Sequence, residues 1–137
     1  MVTAKFLAIL VLAQLVACGR SPNFSADDFK RATGHSLPES AHILKSESRN
    51  WDLHGDHDAC ALIEVSEQDY AQLSAAIRPT SPSDGKLSNT PCSNAMYARF
   101  AQYSVRVAEY ASWDGGGFRH WALVDGKPLI MVQVATW

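Results

Sequence analysis

The densest cluster of chemistry-bearing side chains in the 137-residue sequence is Asp52-Leu53-His54-Gly55-Asp56-His57-Asp58. Imidazoles and carboxylates are ligands for divalent metals, and His54 and His57 stand three positions apart with an acid between them. A centre built from His54, Asp56, His57 and Asp58 would need three or four of them held in one fixed geometry. The same residues suit a solvated hairpin, because Asp and Gly supply the backbone conformations and local hydrogen bonds of tight turns. The turn is the expected state, and no metal or other cofactor is assigned. Gly34-His35-Ser36-Leu37-Pro38 opens like the strained turn that presents a nucleophilic serine. Pro38, however, stands where the closing glycine is needed, and the preceding residues read as a helix rather than a strand. Gly115-Gly116-Gly117 lies between two strand-like runs and lacks the lysine of a phosphate loop, so it reads as a hairpin tip. No catalytic motif emerges from these clusters.

The elements that must position these residues follow from periodicity. Ser25 can cap a helix whose first turn holds Asp27 and Asp28, whose apolar face holds Phe29 and Ala32, and which Gly34 ends. An extended run is predicted near residues 41–48, paired through the Asp-rich turn with a strand over residues 59–66. In that second strand Ala59, Ala61, Ile63 and Val65 share one face, while Cys60, Leu62 and Glu64 share the other. Ser66 and Asp69 resemble a capping box, followed at helical spacing by Tyr70, Leu73, Ala76 and Ile77. Residues 78–94, rich in Pro, Ser, Gly, Asp and Asn, read as a long loop. Residues 94–101 suit either a short helix or the start of a strand. The final third reads as a three-stranded meander, with Tyr103, Val105, Val107 and Ala111 on one face and turns at residues 114–117 and 125–128. The predicted fold is α+β: an antiparallel sheet of about five strands with two helices on one face.

Composition narrows the setting. The chain has 12 basic and 14 acidic residues, a net charge of −2, and is 47% hydrophobic. Residues 1–17 supply 14 of the hydrophobic residues and one cation, Lys5, leaving 50 hydrophobic residues among 120 and a net charge of −3. An acidic domain of this kind does not suit the phosphate backbone, so nucleic acid is excluded as a partner. The stretch from Phe6 to Val16 is apolar apart from Gln14, and is too short for a bilayer core that needs about 20 residues. A short basic start, an apolar run and a small-residue exit describe a secretory signal peptide.

The exit reads Leu15-Val16-Ala17-Cys18 and resembles the lipobox of bacterial lipoproteins. The resemblance covers the first 18 residues, and no family is identified for the remainder. It implies cleavage after Ala17, a diacylglycerol thioether on Cys18 and acylation of the new amino terminus. More than one acyl chain is what stable membrane anchoring requires. Gly19 follows the cysteine in place of Asp, a pattern similar to lipoproteins exported to the outer membrane, facing the periplasm. The resulting organisation is a signal peptide over 1–17, a lipidated tether over 18–24 and one α+β domain over 25–137. With Cys18 set aside, Cys60 and Cys92 form an even pair in an oxidising compartment, and a disulfide between them is expected.

Eight of the twelve aromatic residues after the leader fall in the last 41 positions. Most must be core, but simple alternation leaves Arg106, Tyr110, Arg119 and Trp121 as candidates for an exposed binding face. Together these readings describe a small membrane-anchored envelope lipoprotein acting as a non-enzymatic binding module, of the immunity or inhibitor type among others. Its partner would be an envelope protein, peptidoglycan or an effector. The alternative is an envelope hydrolase or metal-dependent enzyme using His54, His57, His120 and the acids near them.

Overall fold

Why the second and last strands are buried along most of their length is explained by what covers them. A computed structural model describes residues 23–50, 57–80, 92–112 and 116–136. Cys18, His54, Asp56 and most of the predicted loop over 78–94 lie outside these residues. The elements in order are α1 (Ala26–Thr33), β1 (His42–Asn50), β2 (His57–Glu64), α2 (Glu67–Ala76), α3 (Asn94–Phe100), β3 (Val105–Ser112), β4 (Gly117–Val124) and β5 (Leu129–Thr136). The fold is α+β, with one antiparallel five-stranded sheet in the order β1-β2-β5-β4-β3. The last strand therefore inserts between β2 and β4, and the three C-terminal strands are adjacent. Both faces of the central strands are covered, so β2 is buried from Asp58 to Ile63 and β5 from Leu129 to Ala135. A sheet solvated on one face would show strict alternation instead.

The first face carries Ala59, Ala61 and Ile63 of β2, Trp121 and Leu123 of β4, and Ile130, Val132 and Val134 of β5. Phe29 and Ala32 of α1, and Tyr70 and Leu73 of α2, close over it. The second face carries Cys60, Leu62, Ala122, Val124 and Met131 under Met96 and Phe100 of α3. The two predicted helices thus share one face, and residues 94–100 form a third helix on the other. Ser93 caps that third helix by accepting from the Met96 N–H at 3.2 Å.

Local chemistry fixes the helix starts. Ser25 Oγ accepts from the Asp28 N–H at 3.2 Å, and the Asp28 carboxylate accepts from the Ser25 N–H at 2.8 Å, a reciprocal capping box. At α2 the reciprocal bond is made through a third residue. The Ser66 N–H donates to Ser40 Oγ at 2.9 Å, and that hydroxyl donates to the Asp69 carboxylate. Gly34 closes α1 in the left-handed region, with φ +78°, where a Cβ is disfavoured.

The predicted alternation in β3 needs correction. The register shifts between Val105 and Val107, so Val105 packs on the second face and Val107 on the first. Arg106 is the extra residue of a β-bulge, and such an insertion reverses the facing of everything beyond it.

Candidate functional site

The structure separates the two described members of the Asp-rich cluster. Adjacent strand residues point to opposite faces, and His57 and Asp58 open β2. His57 Nε2 stands 2.7 Å from Asp28 Oδ1, tying the capped end of α1 to the sheet. Asp58 is buried on the other face, in register with Arg49 and Ala135. One metal therefore cannot take both His57 and Asp58 without rearranging the strand. Among the described residues no group of three His, Cys, Asp or Glu side chains is placed to hold a metal ion.

The four residues proposed as one binding face are likewise divided. Tyr110 is in register with His120 on the second face, and it is exposed at 42%. Trp121 and Arg119 lie on the first face, where Trp121 is fully buried against the α1 side of the core. His35 meets the Trp121 ring edge-on at 5.9 Å. Arg119 Nη2 donates to Glu109 Oε1 at 3.2 Å, and Glu109 Oε2 also accepts from the Arg78 N–H at 2.8 Å. That network, with the Thr80 N–H donating to the Ala108 carbonyl and the Tyr110 N–H to Thr80 Oγ1, clips the segment after α2 onto the β3 edge. Trp121 and Arg119 are structural for this reason. The mistaken grouping came from counting alternation separately in each strand, without the register that sets Tyr110 against His120 and Glu109 against Trp121.

Arg106 does reach a concave surface. A cleft of about 630 Å³ lies between one face of α2 and the bulge, closed at one end by the β4–β5 turn. Glu67, Tyr70, Ala71, Ser74 and Ala75 line it from α2, at the spacing of a single helical stripe. Arg106, Gly126 and Lys127 line it from the sheet side. Tyr70 forms part of the wall while its hydroxyl donates to the Val124 carbonyl, which pins α2 to the end of β4. Lys127 and the α2 stripe escaped notice in the sequence, although three small residues, Ala71, Ser74 and Ala75, at helical spacing on an exposed face are the signal that marks a shallow groove.

The second face holds a different polar group. His120 and Gln133 are cross-strand partners, both buried. Phe118 stacks with Tyr110 at 6.0 Å, and Tyr110 meets the His120 ring edge-on at 5.9 Å. Burial lowers the His120 pKa from 6.5 to about 4, keeping the imidazole neutral at neutral pH. Gln133 Nε2 donates to Cys92 Sγ at 3.2 Å, whereas His120 Nδ1 and Gln133 Oε1 find no hydrogen-bond partner among the described residues. Beside them Cys60 and Cys92 stand at disulfide distance, with Cα atoms 6.1 Å apart, the pairing expected from the cysteine count. Glu47, in register with Cys60, accepts from the Ser93 N–H at 2.9 Å and from the Ser93 hydroxyl. This fixes the start of α3 next to the disulfide. Among the described residues no helix is long and apolar enough to cross a membrane. Comparison with protein-family models, curated proteins and solved structures finds no match to this chain.

Proposed function

We propose that this protein is a lipid-anchored lipoprotein of the bacterial envelope whose α+β domain acts by binding rather than by catalysis. Anchoring rests on Leu15-Val16-Ala17-Cys18, and the cysteine pair at disulfide distance suits the oxidising compartment that such an address implies. The binding half is carried by one observation. The α2–bulge cleft is a concave surface lined by Arg106, Lys127 and Glu67, which form no ion pair among the described residues, with Arg106 brought to it by the bulge. Bulges next to functional sites re-aim a side chain in this way. The partner is an envelope component: a protein, peptidoglycan or an effector that the domain neutralises.

Two measurements in the native host test the two halves. A Cys18→Ala variant should lose palmitate labelling and leave the membrane fraction or remain unprocessed; unchanged labelling and partition refute the anchor. A photo-crosslinking residue at Ser74 should give a discrete adduct in intact cells that a cleft-filling Ala75→Arg change abolishes. An adduct indifferent to that change, or none at all, counts against the cleft as the binding site.

A further inference from the structure

We propose that the cleft between α2 and the β3 bulge is an anion site, taking a carboxylate or phosphate borne on a small aliphatic body. This rests on the reading of the cleft as the binding site and adds the chemistry of its ligand. The chain as a whole carries more acids than bases, 14 against 12. The cleft reverses that balance, with two cations, Arg106 and Lys127, against one acid, Glu67. Among the described residues, carboxylates pair with His57 and Arg119 and not with Arg106 or Lys127.

The backbone places both cations. Arg106 sits at the register shift of β3, outside the alternation that would otherwise have assigned it a face. Lys127 follows Gly126, whose φ of +72° makes the β4–β5 turn. Its ammonium lies 5.6 Å from the centroid of the Tyr103 ring, a cation–π contact that limits its wandering. A guanidinium offers a planar fork that matches carboxylate and phosphate oxygens, and the ammonium adds a compact second charge. Ala71 and Ala75, one helical turn apart, leave an apolar wall for the aliphatic part, and the Ser74 hydroxyl offers a hydrogen bond beside it. The Tyr70 hydroxyl is committed to Val124, so the ring contributes surface and not a donor. A volume of about 630 Å³ lies within the range of small-ligand sites.

The test is amide NMR on the full-length chain in detergent, titrated with N-acetylalanine, its uncharged methyl ester and inorganic phosphate. The acid or phosphate should shift the amides of Ser74, Arg106, Gly126 and Lys127 saturably, and the ester should not. Arg106→Gln should weaken binding about tenfold or more, while Arg99→Gln on α3 leaves it unchanged; the remaining amide spectrum reports whether each variant is folded. Saturation by phosphate alone assigns a phosphate-bearing ligand, and saturation by the acid alone a carboxylate, either of which supports an anion site. Equal shifts from ester and acid, no saturable response to either anion, or undiminished binding in Arg106→Gln overturns it. If anion binding fails while the Ser74 adduct in cells persists, this proposal falls and the cleft remains the binding site.

Discussion

Trp121 and His120 are neighbours in β4 and are both buried, yet they end in opposite kinds of interior. Trp121 faces Ala, Val and Ile side chains beneath α1 and α2, where closure comes mainly from apolar burial, with His57–Asp28 and Tyr70–Val124 contacts tying the helices down. His120 faces Tyr110, Phe118 and Gln133, on the side where a seven-residue helix, a cysteine pair and a carboxylate cap do the holding. The difference shows that one sheet can be stabilised by two unlike means. The first face depends mainly on packing. The second depends on a covalent link and a neutral imidazole, and answers to redox state and pH.

The largest effect is expected from the first face. Trp121→Ala removes the largest fully buried side chain and should cost about 3–5 kcal/mol of unfolding free energy, as large-to-small core changes do. Urea unfolding measures this directly, and a loss below about 1 kcal/mol would mean that Trp121 is not a core residue. Next comes the staple of the second face. Converting both Cys60 and Cys92 to Ser should lower stability by about 3–4 kcal/mol, the chain-entropy value for the 33-residue loop they close. The same loss should follow reduction of the unmutated protein, while Trp121→Ala should show no added sensitivity to reductant.

The smallest effect of the three separates the faces by pH. The unfolded His120 binds a proton near pH 6.5, and the folded one resists until about pH 4. The unfolded state therefore holds more protons across that window. The His120 contribution to stability is full above pH 6.5 and falls by about 3 kcal/mol as the pH drops to 4. In His120→Gln the difference in stability between pH 7.5 and pH 4 should shrink by that amount, whereas Trp121→Ala should leave it unchanged. Parallel pH profiles for His120→Gln and the unmutated protein would remove the distinction between the faces.

Much of the fold could be read from the chain because its signals were local. Ser25 with Asp28, and Ser66 with Asp69, sit at capping spacing, and the capped helices are there. Ala59 to Val65 alternates, and the two faces follow that alternation. The insertion of β5 between β2 and β4 was not legible, because it depends on pairings such as Cys60 with Gln133 that no local pattern encodes. The binding face was misread for a related reason. Tyr110 and Trp121 fall on opposite faces because the β3–β4 register sets Tyr110 against His120, and composition marks neither that register nor the bulge at Arg106. The cleft was hidden because its walls come from α2 and from a turn more than 50 residues later, and its small residues look unremarkable until the two are brought together. Ser40 is a further case. Its role in capping α2 depends on a loop 26 residues earlier in the chain reaching Ser66.

The central claim is that the working part of this protein begins as a lipidated residue. The most direct test is intact mass and N-terminal peptide analysis of the protein extracted from host membranes. The account predicts a chain that starts at Cys18, with the signal peptide gone and the mass of a diacylglycerol thioether plus an amide-linked acyl chain on that residue. A chain that starts elsewhere, or an unmodified Cys18 thiol, would contradict it.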